Sequence, residues 1–343
     1  MMLEIDAAVL AARMDPGVHV IVIRGAGEKF FSAGAEIAML AEAEPTFKYY
    51  FCLHANETLN RLEQTPKLVI AALNGHTVGG GLEVARPAAA TAPERTLVRY
   101  EVREGIAYLT LDDPPANTYT HEMMRQLDAA ILRARFDAGV HVLVLTGQGE
   151  KFFCAGANIQ MLSESEPNFK YYFCLHANET LNRLEQTPKL VIAALNGHTV
   201  GGGLEIAMAA DLRIARRNAG KLGLPEINLG VLPGTGGTQR LARLVGKSRA
   251  IELMTSGRLI SFEEGEKLDI VNQIFEAEDF AGQIHAYSRQ FCPPGRAAKA
   301  VGRIKRSVQS GAEVPFERGD DQLGRLLQAV QRLVGVQAEV VLE

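Results

Sequence analysis

The sequence has few cysteines, no long apolar run and no excess of basic residues. Its 4 cysteines among 343 residues are too few for a disulfide scaffold, which favours a reducing compartment such as the cytoplasm. No apolar stretch reaches the roughly 18 residues of a membrane span, and the N-terminus lacks the basic and apolar regions of a signal peptide. The formal net charge of −4 argues against a nucleic-acid-binding protein. We therefore predict a cytoplasmic protein that binds neither membranes nor nucleic acids.

Several motifs of common ligand sites are also absent. The glycine-rich stretches Gly25–Phe30 (GAGEKF) and Gly234–Gln239 (GTGGTQ) lack the G-x-G-x-x-G spacing of dinucleotide-binding proteins. No G-x-x-x-x-G-K-[ST] phosphate-binding loop occurs, and neither does an H-E-x-x-H or a paired C-x-x-C metal motif. The sequence therefore predicts no metal site.

The chain repeats part of itself. Met1 aligns with Met123, an offset of 122 residues, and at this offset Phe47–Glu83 matches Phe169–Glu205 letter for letter. The simpler interpretation is a recent tandem copy without a selected role of its own. Two unequal copies do not make a solenoid, which needs three or more similar units.

The end of the repeat predicts the domain organisation. The match stops near residue 86, where a segment rich in proline and alanine begins that reads as a linker. We predict a partial repeat over residues 1–86 (the first copy), a linker over 87–95, and a complete domain over 96–343 (the complete unit).

The complete unit alternates predicted strands and helices. Leu97–Leu111 alternates apolar and polar residues around Glu104 and Gly105, which predicts a β-hairpin. Helical apolar spacing follows over Thr120–Asp137, with Thr120 as the N-cap, and then the continuously apolar strand VHVLVLTG. Gly257 is expected to end a later helix. This order is typical of a layered α/β domain.

Two glycine-rich segments follow predicted strands. FFCAGAN (Phe152–Asn158) and HTVGGGLE (His198–Glu205) offer small residues that let a ligand approach backbone N–H groups. The second segment also opens a helix, whose first N–H groups lack intrahelical partners. Two such donors from separate loops can hold a developing oxyanion. Cys154 invites interpretation as a nucleophile, but its repeat counterpart is Ser32, which favours a packing role.

Two carboxylates lie near these segments in the sequence. Glu205 is in the first turn of the presumed apolar helix, and Glu226 follows Pro225 in a segment dense in turn-forming residues. Two carboxylates that share a partly dry site acquire different pKa values, which makes one an acid and the other a base. Complementarity to the helix dipole is an alternative for Glu205 alone.

Four ordered blocks resemble the crotonase (enoyl-CoA hydratase/isomerase) superfamily. They are FFCAGANI, NGHTVGGGLEIAMAADLRIA, LPEINLGVLPGTGGTQRLARLVGKSRAIELMTSGR and FEEGEKLDIVNQIF. The resemblance covers about Leu97–Phe316. It implies a crotonase-like ββα spiral with a C-terminal helical region, preceded here by a partial repeat of the same core. It also implies assembly as a homotrimer or a dimer of trimers.

The resemblance further implies an acyl-CoA thioester substrate and no separate cofactor or metal. The oxyanion hole falls on the amides of Ala157 and Gly202, with Glu205 as the main base and Glu226 as the acid. Hydration of trans-2-enoyl-CoA to 3-hydroxyacyl-CoA is the implied reaction. The residues expected to line the substrate and coenzyme A are Ala155, Asn158, Ile159, Gln160 and Gly234.

Other functions stay open at this point. They are an enoyl-CoA isomerase, another dehydratase of the same superfamily, and a catalytically impaired fusion. The first copy has Ala35, Gly80 and Glu83 at the matching positions but no counterpart of Glu226, so we predict that it is catalytically silent. The tail after Phe316 departs from the family, although LGRLLQAVQRLV within it has the spacing of an amphipathic helix.

Overall fold

A computed structural model describes residues 1–36, 39, 42–77, 95–296 and 298–313. Residues 87–94 of the predicted linker and the helix predicted over 323–334 lie outside this range. The domain boundaries therefore stay predictions.

The first copy contains two helices and four short strands in its described residues. Its parallel strand pairs are β1 with β3 and β2 with β4. The bounds are α1 (Met2–Met14), β1 (Val20–Arg24), β2 (Phe30–Ser32), α2 (Pro45–Glu63), β3 (Leu68–Ala72) and β4 (His76–Thr77).

The complete unit continues through ten further strands and nine helices among the described residues, with one 3-10 helix at Glu226–Leu229. Its first half is β5 (Val98–Arg103), β6 (Ile106–Leu111), α3 (His121–Phe136), β7 (Val142–Gly147), β8 (Phe152–Cys154), α4 (Ile159–Glu164), α5 (Pro167–Glu185), β9 (Leu190–Leu195) and β10 (His198–Val200). Its second half is α6 (Gly202–Met208), β11 (Leu212–Arg216), β12 (Lys221–Gly223), α7 (Gly237–Val245), α8 (Lys247–Ser256), β13 (Ile260–Ser261), α9 (Phe262–Lys267), β14 (Gln273–Phe275), α10 (Phe280–Arg289) and α11 (Ala298–Glu313).

These strands form two sheets. The larger has the order β14-β11-β9-β7-β6-β5 and the smaller β13-β12-β10-β8. Pairing is parallel except between β5 and β6 and between β12 and β13. The predicted α/β class is confirmed. None of the helices in the described ranges is long and apolar enough to cross a bilayer.

Local sequence signals account for several element boundaries. Glu104 and Gly105 both have positive φ, 47° and 81°, as a two-residue hairpin turn of type I′ requires. The Thr120 hydroxyl accepts a hydrogen bond from the Met123 amide at 3.2 Å, which is the predicted N-cap of α3. Gly257 ends α8 with a φ of 61°.

The six-stranded sheet is covered on both faces. On one face, side chains of β7, β9 and β11 pack against Phe280 and Ile284 of α10. On the other, the alternate side chains join the main core with α3, α5 and α6. Burial on both faces explains why β7 and β9 are continuously apolar. The smaller sheet lies beside this core, and its strands β8 and β10 lead the chain into the two glycine-rich loops.

Candidate active site

The loop after β8 lies against the start of α6. Gly156 has a φ of 95°, and a Cβ built on it would lie 3.2 Å from the Gly202 nitrogen. The Tyr119 amide donates to the Gly156 carbonyl at 2.9 Å, and the Asn158 amide donates to the Tyr119 carbonyl at 3.0 Å. Among the described residues, the amides of Ala157 and Gly202 donate to no other group. The two predicted oxyanion donors thus lie on adjoining segments with their N–H groups unused.

Glu205 is held by three donors from Thr235 and from Gly237, the first residue of α7. Its side chain is in the first turn of α6, and the residue is only 2% exposed. Oε1 accepts hydrogen bonds from the Thr235 amide at 2.8 Å and from the Gly237 amide at 2.7 Å. The Thr235 hydroxyl donates to Oε2. These three donors fix the orientation of the carboxylate, which a positioned base requires.

Glu226 has a different environment. It opens the 3-10 helix and is half-buried, and its Oε2 has no hydrogen-bond partner within the described ranges. Burial raises the pKa of Glu226 to about 7, and the nearby charge of Glu205 adds to the rise. A Cβ built on Gly201 would lie 3.0 Å from Glu226 Oε1, so this carboxyl group adjoins the start of α6. Near neutral pH it can therefore supply a proton beside the Gly202 amide.

The structure brings the two predicted carboxylates into one site with opposite properties. Glu205 accepts three hydrogen bonds, whereas Oε2 of Glu226 has no partner among the described residues. This difference matches the division of labour between a base and an acid that paired carboxylates provide.

Tyr119 is a site residue that the sequence did not indicate. It is 2% exposed, and a Cβ built on Gly202 would collide with its ring, so only glycine is accommodated there. Burial raises the pKa of Tyr119 well above its usual value, and the nearby charge of Glu205 contributes. The phenol therefore stays protonated between the oxyanion donors and Glu205. No motif around Tyr119 signals this position.

Thr235 was also missed, although its glycine-rich surroundings were a signal. Its carbonyl accepts a hydrogen bond from Arg240 Nη1 at 2.8 Å, and Arg240 pairs with Glu185 at 2.9 Å. Gly236 next to it has a φ of 91°, which favours glycine. This arrangement positions the loop that holds Glu205.

Gly234 of the same loop faces α5, since a Cβ on it would lie 3.3 Å from Cys174 Sγ.

Three of the residues expected to line the coenzyme A side directly follow Ala157 in the sequence. The Asn158 side chain caps α4 by accepting from the Met161 amide at 2.9 Å. Ile159 is 61% exposed, and the exposed Gln160 donates to Glu164 at 3.0 Å. Ala155 lies in the loop after β8, two residues before Ala157. Their contact with coenzyme A stays a prediction.

The sequence also singled out Cys154 and three residues of the first copy. Burial raises the pKa of the Cys154 thiol to about 12, so it is not a thiolate at neutral pH and the packing role is favoured. In the first copy Ala35 is exposed, while Gly80 and Glu83 lie outside the described residues. Within the described ranges, no group of three or more His, Cys, Asp or Glu side chains could hold a metal ion.

Comparison with known proteins identifies the family. The model of the enoyl-CoA hydratase/isomerase family matches residues 1–90 and 101–329. The chain belongs to this family of enzymes. The crotonase-like fold predicted from the sequence is thereby confirmed, and solved structures agree. A crystal structure of an enoyl-CoA hydratase from Geobacillus kaustophilus HTA426 superimposes with a TM-score of 0.66 at 40% identity, over 70% of this chain and 90% of that one.

Curated relatives within the family carry hydratase names. A probable enoyl-CoA hydratase of Bacillus subtilis is 42% identical over 172 residues, which are 50% of this chain and 66% of the relative. A short-chain-enoyl-CoA hydratase of Clostridium acetobutylicum is 36% identical over 63% of this chain and 82% of its own length.

Proposed function

We propose that this enzyme is an enoyl-CoA hydratase, which adds water syn across the double bond of a trans-2-enoyl-CoA to give a 3-hydroxyacyl-CoA. The observation that carries the proposal is the pair of carboxylates beside two unused amides. Glu205, which three donors hold in place, and Glu226, whose pKa burial raises to about 7, are the acid–base pair that addition of water requires. The hydratase names of the relatives support the same reaction.

The amides of Ala157 and Gly202 polarise the substrate in this mechanism. Both donate to the thioester oxygen, whose negative charge grows as the enolate forms. The amide of Gly202 is also at the N-terminus of α6, where backbone donors have no intrahelical partner. Removal of one donor of an oxyanion hole typically costs about 3–4 kcal/mol in the barrier. The thioester is thus activated without a metal or cofactor.

The carboxylates move the protons. Glu205 accepts a proton from a water molecule while the water oxygen forms a bond to the β carbon and the double bond shifts into the enolate. Glu226 then donates its proton to the α carbon, and the enolate electrons return to form the thioester carbonyl. The enzyme is restored when Glu205 releases its proton and Glu226 regains one from solvent. Dehydration follows the same steps in reverse.

The substrate side of the proposal rests on the same loops. We infer that Ala155, Asn158, Ile159 and Gln160 line the coenzyme A and thioester side. Gly234 shapes the acyl pocket, because its missing side chain leaves space next to Cys174.

A spectrophotometric assay tests the reaction. Loss of enoyl-thioester absorbance would be followed with trans-2-enoyl-CoA substrates from four carbons upward, and the products would be identified by chromatography. We expect hydration of crotonyl-CoA and no conversion of a 3-enoyl-CoA into its 2-enoyl isomer. Turnover of the 3-enoyl-CoA alone would show an isomerase, and no turnover of either substrate would show a catalytically impaired chain.

A further inference from the structure

The first copy contacts the complete unit through a cluster of charged side chains. Helix α1 packs on α5 and helix α2 packs on α3. Because α3 and α5 are the repeat counterparts of α1 and α2, each copy presents the same two helices to the other. The cluster has equal numbers of both signs and consists of Asp6, Arg13, Glu57 and Arg61 of the first copy with Asp128, Arg135, Glu179 and Arg183 of the complete unit.

The ion pairs of this cluster are reciprocal. Arg13 Nη1 donates to Glu179 Oε1 at 3.0 Å, and the counterpart Arg135 Nη1 donates to Glu57 Oε2 at 2.8 Å. If both residues of one ion pair are replaced by their repeat counterparts, the result is the other ion pair. In an isologous interface, residue i of one copy contacts residue j of the other, and residue j of the first contacts residue i of the second. This is the arrangement of a two-fold symmetric dimer.

A second set of bonds obeys the same rule. Arg61 Nη2 lies 3.3 Å from Asp128 Oδ2, and Arg183 Nη1 lies 3.0 Å from Asp6 Oδ2. Arg61 also contacts Asp6 at 3.0 Å within the first copy, as Arg183 contacts Asp128 at 2.7 Å within the complete unit. The two-fold relation therefore extends across the whole cluster.

The cluster is buried, so its pairing is a condition for docking. Charged groups can be withdrawn from water only when opposite charges and hydrogen bonds replace the solvent. The arginines and aspartates are each at most 5% exposed; they are Asp6, Arg13, Arg61, Asp128, Arg135 and Arg183.

We propose that the first copy occupies, within its own chain, a self-pairing surface of the complete unit, so that each chain carries its own dimer partner. The surface of the complete unit is complementary to the first copy, and the first copy bears the same charged residues at the same offset. That surface is therefore complementary to itself. If the first copy is displaced, a complete unit of another chain is the partner that fits.

Charge reversal in the full-length chain tests this proposal. Asp6→Arg with Glu57→Arg places positive charges opposite Arg183 and Arg135, which should displace the first copy and leave the complete unit unchanged. We expect the assembly mass from multi-angle light scattering to double relative to the unsubstituted chain. Circular dichroism verifies that the variant is folded. An unchanged mass would overturn the proposal.

A compensating variant separates specific pairing from aggregation. Adding Arg135→Glu and Arg183→Asp to the same chain makes the first-copy surface entirely positive and the complete-unit surface entirely negative. Docking within the chain is then restored, and complete units repel one another, so the mass should return to that of the unsubstituted chain. A mass that stays high would contradict the proposal.

Two controls complete the design. Glu28→Arg with Glu63→Arg changes the charge of the first copy by the same amount at exposed positions, and should leave the mass unchanged. Dilution of the unsubstituted chain should also leave its mass unchanged, because docking is intramolecular. A twofold fall in mass on dilution would show that docking takes place between chains and would overturn the proposal.

Discussion

Identical residues in the strands of the two copies lie in different surroundings. Val22 of β1 is 52% exposed, whereas its counterpart Val144 of β7 is 1% exposed. Leu68 of β3 is 63% exposed, while Leu190 of β9 is 9% exposed. Each pair has identical letters and the same parallel register between its strands. Burial in this chain therefore depends on the elements outside the repeat, not on the repeated residues.

The missing neighbours explain the difference. In the complete unit β7 and β9 are flanked by β6 and β11, and α10 covers one face of the sheet. The described part of the first copy contains none of these elements. Its helices cover only the other face, where Ile21 and Ile23 are buried at 4% and 3% exposure.

The same comparison applies to the active site. Glu226 and Thr235 have no counterpart in the first copy, since the repeat ends near residue 86, before the matching positions. The first copy therefore lacks the acid and one of the residues that hold Glu205, even though its sequence retains Glu83.

The largest expected contrast is between the two equivalent glutamates. Glu205→Gln should lower kcat for crotonyl-CoA hydration about 10²–10⁴-fold, the usual range for loss of a general base. Glu83→Gln should leave kcat unchanged, because the first copy has no acid to complete a site. Steady-state kinetics of both variants would measure this. A large loss from Glu83→Gln would disprove the silent first copy.

A matched pair of core substitutions tests the role of neighbours. Ile192→Ala removes a fully buried side chain and should lower the free energy of unfolding by about 2–5 kcal/mol. Ile70→Ala changes the same residue of the first copy, which is 44% exposed, and should cost about 0.5 kcal/mol or less. Guanidinium denaturation measures both. Equal costs would mean that the first copy is covered as fully as the complete unit.

The pH profile tests the acid. Because burial raises the pKa of Glu226 to about 7, the protonated form needed for hydration predominates below that value and is lost above it. We expect kcat for hydration to fall about tenfold per pH unit above neutrality. In Glu226→Gln the rate should be low, and this alkaline decline should disappear. A decline that persists in the variant would assign it to another group.

The smallest expected effect concerns Tyr119 of the complete unit. Tyr119→Phe removes the buried hydroxyl, which lies near Thr235 and Glu205, but keeps the ring against Gly202. One hydrogen bond is worth about 0.5–1.5 kcal/mol, so we expect kcat to fall about 2- to 13-fold. The circular dichroism spectrum should be unchanged. An unaltered kcat would show that the hydroxyl does not help to orient Glu205.

Local signals were sufficient to predict much of the fold. The hairpin at Glu104 and Gly105, the Thr120 cap and the Gly257 stop each depend on a few adjacent residues, and the structure contains all three. The resemblance of four ordered blocks predicted the family, which is confirmed. Tyr119 and Thr235 could not be predicted as partners, because their contact joins segments more than a hundred residues apart.

The sequence by itself determined the repeat, the alternation of strands and helices, and the positions of the two glycine-rich loops, since these follow from short-range patterns. Only the tertiary structure decided which of two identical strands is buried and how Glu205 and Glu226 come to differ. It also decided that four arginines and four carboxylates meet across the two copies. Burial and charge pairing depend on distant neighbours, and chain folding alone brings those together.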